Sequence, residues 1–106
     1  MIIYNVTINV EDSIHDEWLA WMKEHIPQVL ATGKFIDAKL TKVLVDEQEG
    51  TTYSVQYKAP SREVLDSYYA EDAQALRQDG LQRFADKMLA FRTELEVIDE
   101  YSVSFN

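Results

Sequence analysis

The chain has 106 residues, no cysteine and a net charge of −9, from 19 acidic against 10 basic side chains. That length bounds it to one domain with a core of its own. The absence of thiols excludes disulfides, thiol nucleophiles and thiolate metal sites, and the acidic balance speaks against nucleic acid and membrane surfaces as partners.

The amino terminus, MIIYNVTINVEDS, has no basic stretch and reaches Asn5 too soon for a signal-peptide core. No apolar run approaches the roughly 20 residues of a membrane span. A cytoplasmic setting is expected, in which the Asn5-Val6-Thr7 sequon goes unused.

Residues 2–10 alternate. Ile2, Tyr4, Val6, Ile8 and Val10 share one face, and Ile3, Asn5, Thr7 and Asn9 the other. This predicts a strand with one buried face. A helix follows, capped by Ser13 or Asp12, with Asp16 and Glu17 in the first turn where the helix dipole favours negative charge. Its stripe is Ile14, Trp18, Trp21, Met22, His25, Val29 and Leu30. Pro27 predicts a kink or break at Ile26 before one more helical turn, and Gly33 is the natural stop.

A second strand is expected from Phe35 to Val45, then a polar hairpin loop over Asp46-Glu47-Gln48-Glu49-Gly50. The third strand, Thr51 to Ala59, puts Tyr53, Val55 and Tyr57 on one face and Thr52, Ser54, Gln56 and Lys58 on the other. Ser61 caps a second helix carrying Leu65, Tyr68, Tyr69, Ala73, Leu76 and Phe84, with an interruption expected near Asp79-Gly80. Met88 to Val97 reads as the fourth strand. Its apolar parity is Leu89, Phe91, Thr93, Leu95 and Val97, and its polar parity Arg92, Glu94 and Glu96. Tyr101, Val103 and Phe105 keep the apolar parity and allow the strand to continue.

The order is βαββαβ, an α+β ferredoxin-like sandwich: a four-stranded antiparallel sheet with two helices on one face. The helices cover one face, so the other is expected to carry Asn5, Thr7, Asn9, Ser54, Gln56, Lys58, Arg92, Glu94 and Glu96. Two readings stand for it: a solvated face, or the interior of a homodimer in which Arg92 pairs with Glu94 or Glu96. An RNA-recognition module shares the order but needs aromatics on the open face. Here Tyr4, Tyr53 and Tyr57 fall on the core parity.

The pattern Trp18-x-x-Trp21-Met22-x-x-His25-Ile26-Pro27-x-x-Leu30-Ala31-Thr32-Gly33-x-Phe35 resembles the first helix and second strand of the dimeric α/β-barrel superfamily. The start MIIYNVTINVEDSIHDEWLAWM and the segment Phe91-Arg92-Thr93-Glu94-Leu95-Glu96-Val97 resemble one bacterial branch of it, the domain of unknown function 4286. The resemblance covers nearly the whole chain. It implies two ferredoxin-like subunits packed sheet against sheet in a barrel, and so weights the polar face toward burial, with Asn5, Thr7, Gln56, Arg92 and Glu94 at the dimer face. The superfamily hosts cofactor-free monooxygenases, isomerases, haem-degrading enzymes and ligand sensors, so the fold chooses no chemistry.

No phosphate loop, nucleophile elbow or dinucleotide fingerprint occurs. Two histidines ten residues apart without cysteine match no metal spacing, and Asp46-Glu47-x-Glu49 lacks the pattern of a calcium loop. The superfamily's haem-degrading members ligate iron through a histidine on the second helix. Residues 61–86 hold none, so no cofactor is expected.

His25 is the candidate catalytic base or ligand anchor, set against a packed histidine supporting the bend. His15 is read as solvated. Arg77 and Arg83 are read as surface ion-pair partners rather than an anion clamp. Two functions follow. One is a homodimer binding a small organic molecule in a helix–sheet cleft lined by His25, Tyr4, Tyr57 and Trp21, with the possibility of cofactor-free catalysis. The other is a structural or interaction module without chemistry. Solid packing of the helix–sheet space by Trp18, Trp21, Met22 and Phe84 would favour the second.

Overall fold

The structure, a computed structural model, describes residues 1–46 and 49–104. Strand β1 (Ile2–Val10) leads through a single 3-10 turn (Asp12–Ile14) into helix α1 (His15–Leu30). Strands β2 (Asp37–Lys42) and β3 (Thr51–Ala59) follow, then helices α2 (Arg62–Glu71) and α3 (Ala73–Phe84), then strand β4 (Met88–Glu96). The sheet is antiparallel in the order β2-β3-β1-β4. This is the expected α+β ferredoxin-like arrangement, with β1 and β3 central and β4 at an edge.

The core is the inner face of the two central strands against the helices. Tyr4, Val6, Ile8, Val10, Tyr53, Val55, Tyr57 and Ala59 are all buried, as their alternation requires. They meet Trp18, Met22 and Val29 of α1, Leu65 and Tyr68 of α2, and Ala73 and Phe84 of α3. Aromatic rings dominate at one end, where Tyr4, Phe35, Tyr57 and Tyr68 lie with centroids 4.8 to 6.3 Å apart.

Helix α1 runs unbroken through Pro27. The missing N–H removes one intrahelical bond, yet the Pro27 carbonyl still accepts from Ala31 N–H at 2.9 Å. Burial of Val29 in the last turn holds the helix on course. Gly33, at φ 77°, then lets the chain turn toward the sheet. The cap also differs from expectation: the 3-10 turn supplies the lead-in, and neither Asp12 nor Ser13 caps α1. Ser61 does cap α2, its Oγ accepting from Val64 N–H at 3.3 Å.

The second helical stretch breaks at Asp72, not at Gly80, which lies inside α3. Strand β2 is shorter than expected. The segment after Glu96 is not a strand through residue 104, and Phe105 lies outside the described residues, as do Glu47 and Gln48 of the hairpin loop.

The largest correction concerns β4. It pairs with β1 so that Glu94 lies opposite Tyr4, Arg92 opposite Val6, and Ala90 opposite Ile8. Residues directly opposite in a ladder share a face. Arg92, Glu94 and Glu96 therefore stand on the helix side, and Leu89, Phe91, Thr93 and Leu95 on the open side. On an edge strand neither parity is deeply buried, so alternation alone names no inside face. The open face carries Asn5, Thr7, Asn9, Ser54, Gln56 and Lys58 as expected. Beside them runs an apolar stripe of Leu89, Phe91 and Leu95, between 44% and 59% exposed.

Candidate functional site

The helix–sheet space is not packed solid. A cavity of about 280 Å³ lies between α1, α3 and the inner face of β1 and β4. Trp18, Trp21 and Met22 wall it from α1, and Val6, Ile8 and Val55 floor it. His25, Tyr4, Tyr57 and Trp21, the four residues expected to line a cleft, all line this cavity.

Helical spacing explains the α1 wall. Trp18, Trp21, Met22 and His25 fall on one stripe, and Trp21 and His25, four apart, stack with centroids 4.4 Å apart and planes at 19°. The Trp21 Nε1–H donates to Asp79 Oδ2 at 2.7 Å, which ties α1 to α3. Asp79 also forms an ion pair with Arg83, its Oδ1 3.3 Å from Arg83 Nε. Partial burial holds the His25 imidazole below its ordinary value of 6.5, and the Asp79 carboxylate opposes that shift. The ring is therefore a neutral imidazole near neutral pH. Trp18 is fully buried and packs at a tilt on Tyr53, centroids 5.1 Å apart, while its Nε1–H finds no acceptor among the described residues.

Polar groups gather at the β1–β4 side. The Tyr4 hydroxyl oxygen accepts from Arg77 Nη2 at 2.7 Å and from Arg92 Nε at 3.0 Å. The Arg77 guanidinium carbon also stands 6.0 Å from the Tyr4 ring centroid. Arg77 is thus no surface ion-pair partner, unlike Arg83. Burial among other phenols keeps Tyr57 protonated far above its usual range and pushes Tyr68 up to about 12. Both act as neutral hydrogen-bonding groups.

Glu94, expected at the dimer face, is instead bound on the helix side. It accepts from Arg62 Nη2 at 2.7 Å, from Arg62 Nη1 at 3.2 Å, and from the Tyr69 hydroxyl at 2.6 Å. The Arg62 guanidinium, then the Tyr69 hydroxyl, hold its carboxyl below the ordinary range. Of the other expected dimer-face residues, Asn5 and Thr7 stand on the open face. There Asn5 donates to Thr93 Oγ1 at 3.1 Å and accepts from Ser54 Oγ at 2.6 Å. Gln56 pairs opposite Asn5 on the same face.

His15 is a further correction. Its Nε2 lies 2.6 Å from the Tyr53 hydroxyl and its Nδ1 3.0 Å from Asp16 Oδ1, so it is bridged rather than simply solvated. No group of three or more His, Cys, Asp or Glu among the described residues is placed to hold a metal ion. No helix among them is long and apolar enough to cross a membrane.

The family model for the domain of unknown function DUF4286 matches residues 1–98. Among curated proteins no relative matches the chain. Several solved structures share its fold. One is an antibiotic biosynthesis monooxygenase, with a TM-score of 0.68 and 12% identity, covering 93% of this chain and 100% of that one. A dimeric ferredoxin-like protein from an uncultured marine organism aligns with a TM-score of 0.73 and 13% identity, covering 94% and 97%. A mutant form of SnoaB, a cofactor-independent oxygenase from Streptomyces nogalater, aligns with a TM-score of 0.67 and 8% identity, covering 93% and 95%. At such identities the likeness is one of fold.

Proposed function

The chain belongs to the DUF4286 family, and from that premise we propose that it is a one-domain homodimer that binds a small organic molecule between its helices and its sheet, without a cofactor. The cavity carries this reading. Its walls are largely apolar, and a few polar groups converge on it: Tyr4, His25, Arg77 and Arg92. That combination is the usual form of a small-molecule site. Its 280 Å³ lies at the small end of ligand pockets and suits a compact ligand. If a reaction occurs, His25 is the base: its ring is kept neutral, the form that accepts a proton.

The exposed side chains of Leu89, Phe91 and Leu95, in a row with Thr93, support the homodimer, since clustered apolar surface of this kind marks association sites. A solved structure of the same fold is itself described as dimeric. The same row favours a second reading, an interaction module whose cavity takes no ligand.

Native mass spectrometry and an NMR titration with toluene and indole separate the two. The proposal expects a dimer mass and saturable shifts of the Trp18 and Trp21 indole N–H signals. A monomer overturns the homodimer. A dimer whose indole signals ignore both probes overturns the pocket and leaves the interaction module.

A further inference from the structure

The chain has four arginines, and they divide into two pairs. Arg62 is bound to Glu94 and Asp66, and Arg83 to Asp79. Arg77 and Arg92 form no ion pair among the described residues; both donate to one neutral oxygen, that of Tyr4. Two guanidinium groups brought to one phenol repel each other unless an anion sits between them. The carboxylate nearest in sequence on the same face, Glu94, is already committed to Arg62 and Tyr69. In a chain with 19 acidic residues, this leaves a concentrated positive site open.

The phenol adds a third donor. A tyrosine hydroxyl has two acceptor lone pairs and one hydrogen. The arginines occupy the lone pairs, so the hydrogen is free to donate, and no acceptor for it occurs among the described residues. Tyr4, Arg77 and Arg92 also line a second, outer groove with Tyr69, Gln74 and Gln78. The three donors therefore stand at the boundary between an apolar cavity and an outer groove.

The geometry points to an organic carboxylate as the ligand class: its compact apolar body in the cavity, its carboxylate held by Arg77, Arg92 and the Tyr4 hydroxyl. A planar monoanion matches guanidinium hydrogen bonding and costs less to desolvate beside apolar walls than a phosphate dianion does. This inference rests on the proposed pocket and goes further by fixing the charge of what enters it.

The test compares benzoate with its neutral isostere benzamide, and with inorganic phosphate, by indole N–H shifts and tryptophan fluorescence. Wild-type protein is expected to bind benzoate at least about tenfold more tightly than benzamide. Arg77→Met and Arg92→Met should each erase that preference while benzamide binding persists. Arg77→Lys and Arg92→Lys, which keep the charge, should retain part of it. Equal binding of benzoate and benzamide overturns the carboxylate and leaves the pocket standing. Binding of neither overturns pocket and carboxylate together. Phosphate displacing benzoate at lower concentration than benzoate's own Kd overturns the carboxylate in favour of a phosphate ligand.

Discussion

The Trp21 ring takes the place that a side chain on Gly80 would occupy: a Cβ built there would lie 2.7 Å from Trp21 Cη2. The ring is held from other sides too, by His25 in a parallel stack, by Phe84 edge-on at 5.9 Å, and by the bond to Asp79. These contacts resist its displacement into the cavity and into the surface groove that it also lines. Gly80→Ala ought to gain about 1 kcal/mol of helix propensity, but overpacking typically costs 1–3 kcal/mol. Net destabilisation is therefore expected in chemical denaturation. Trp21→Leu in the same background should recover most of it. A Gly80→Ala protein more stable than wild type would show that Trp21 is not wedged.

His25 sets a pH dependence. Its folded value is held below 6.5, chiefly by burial. Above 6.5 both folded and unfolded chains carry a neutral ring and the contribution to stability is unaffected. As pH falls below 6.5 the unfolded chain takes up the proton first, so stability is lost between 6.5 and the lower folded value. Wild type should lose more stability than His25→Asn over this interval, measured as a difference between urea curves at pH 7.5 and 5.5. Subtracting the variant removes the background of 19 titrating carboxyl groups. Identical pH dependence in the two proteins would mean that the ring protonates freely in the fold.

Much of this architecture was legible in the sequence because it rests on period. Tyr4, Val6 and Ile8 alternate with Asn5, Thr7 and Asn9 on a central strand, where one face must be buried and the other is not. Trp18, Trp21, Met22 and His25 declare their stripe for the same reason. Legibility ended where burial is partial or partners are remote. On edge strand β4, hydrophobicity put Phe91 inward, and pairing with β1 put Arg92 there instead. At Pro27 local propensity opposed the helix, but packing of Val29 and Trp18 carried it through. Gly80 looked like a helix interruption until Trp21, 59 positions earlier, was found in its Cβ space. The meeting of Tyr4, Arg77 and Arg92 joins residues 73 and 88 positions apart, and no local signal announces it.

The reversed parity of β4 has a direct consequence for assembly. Phe91 projects from the open face at 59% exposure, with Leu89 and Leu95 along the same strand. In a sheet-to-sheet homodimer a charge there would have to be desolvated without a partner. Phe91→Glu should shift the protein from dimer to monomer in sedimentation velocity while far-UV circular dichroism stays unchanged. Arg92→Glu, on the opposite face, should leave the dimer intact. Dissociation by Arg92→Glu but not by Phe91→Glu would refute this use of the open face.

Tyr4→Phe isolates the shared acceptor. The ring packs against Tyr57, Tyr68 and Phe35 and survives the change, while the oxygen that accepts from both arginines is lost. Two guanidinium groups then face an apolar edge with no common acceptor, a loss of roughly 1–3 kcal/mol for hydrogen bonds to charged groups. In Arg77→Met the same Tyr4→Phe substitution removes one such bond instead of two. Its cost should fall measurably, so a double-mutant cycle should return a favourable coupling between positions 4 and 77. Benzoate should stabilise Tyr4→Phe less than wild type, since the phenol hydrogen no longer reaches its carboxylate. A coupling of zero would mean that the Arg77–Tyr4 bond contributes nothing in solution, and the outer rim of the cavity would then be held by packing alone.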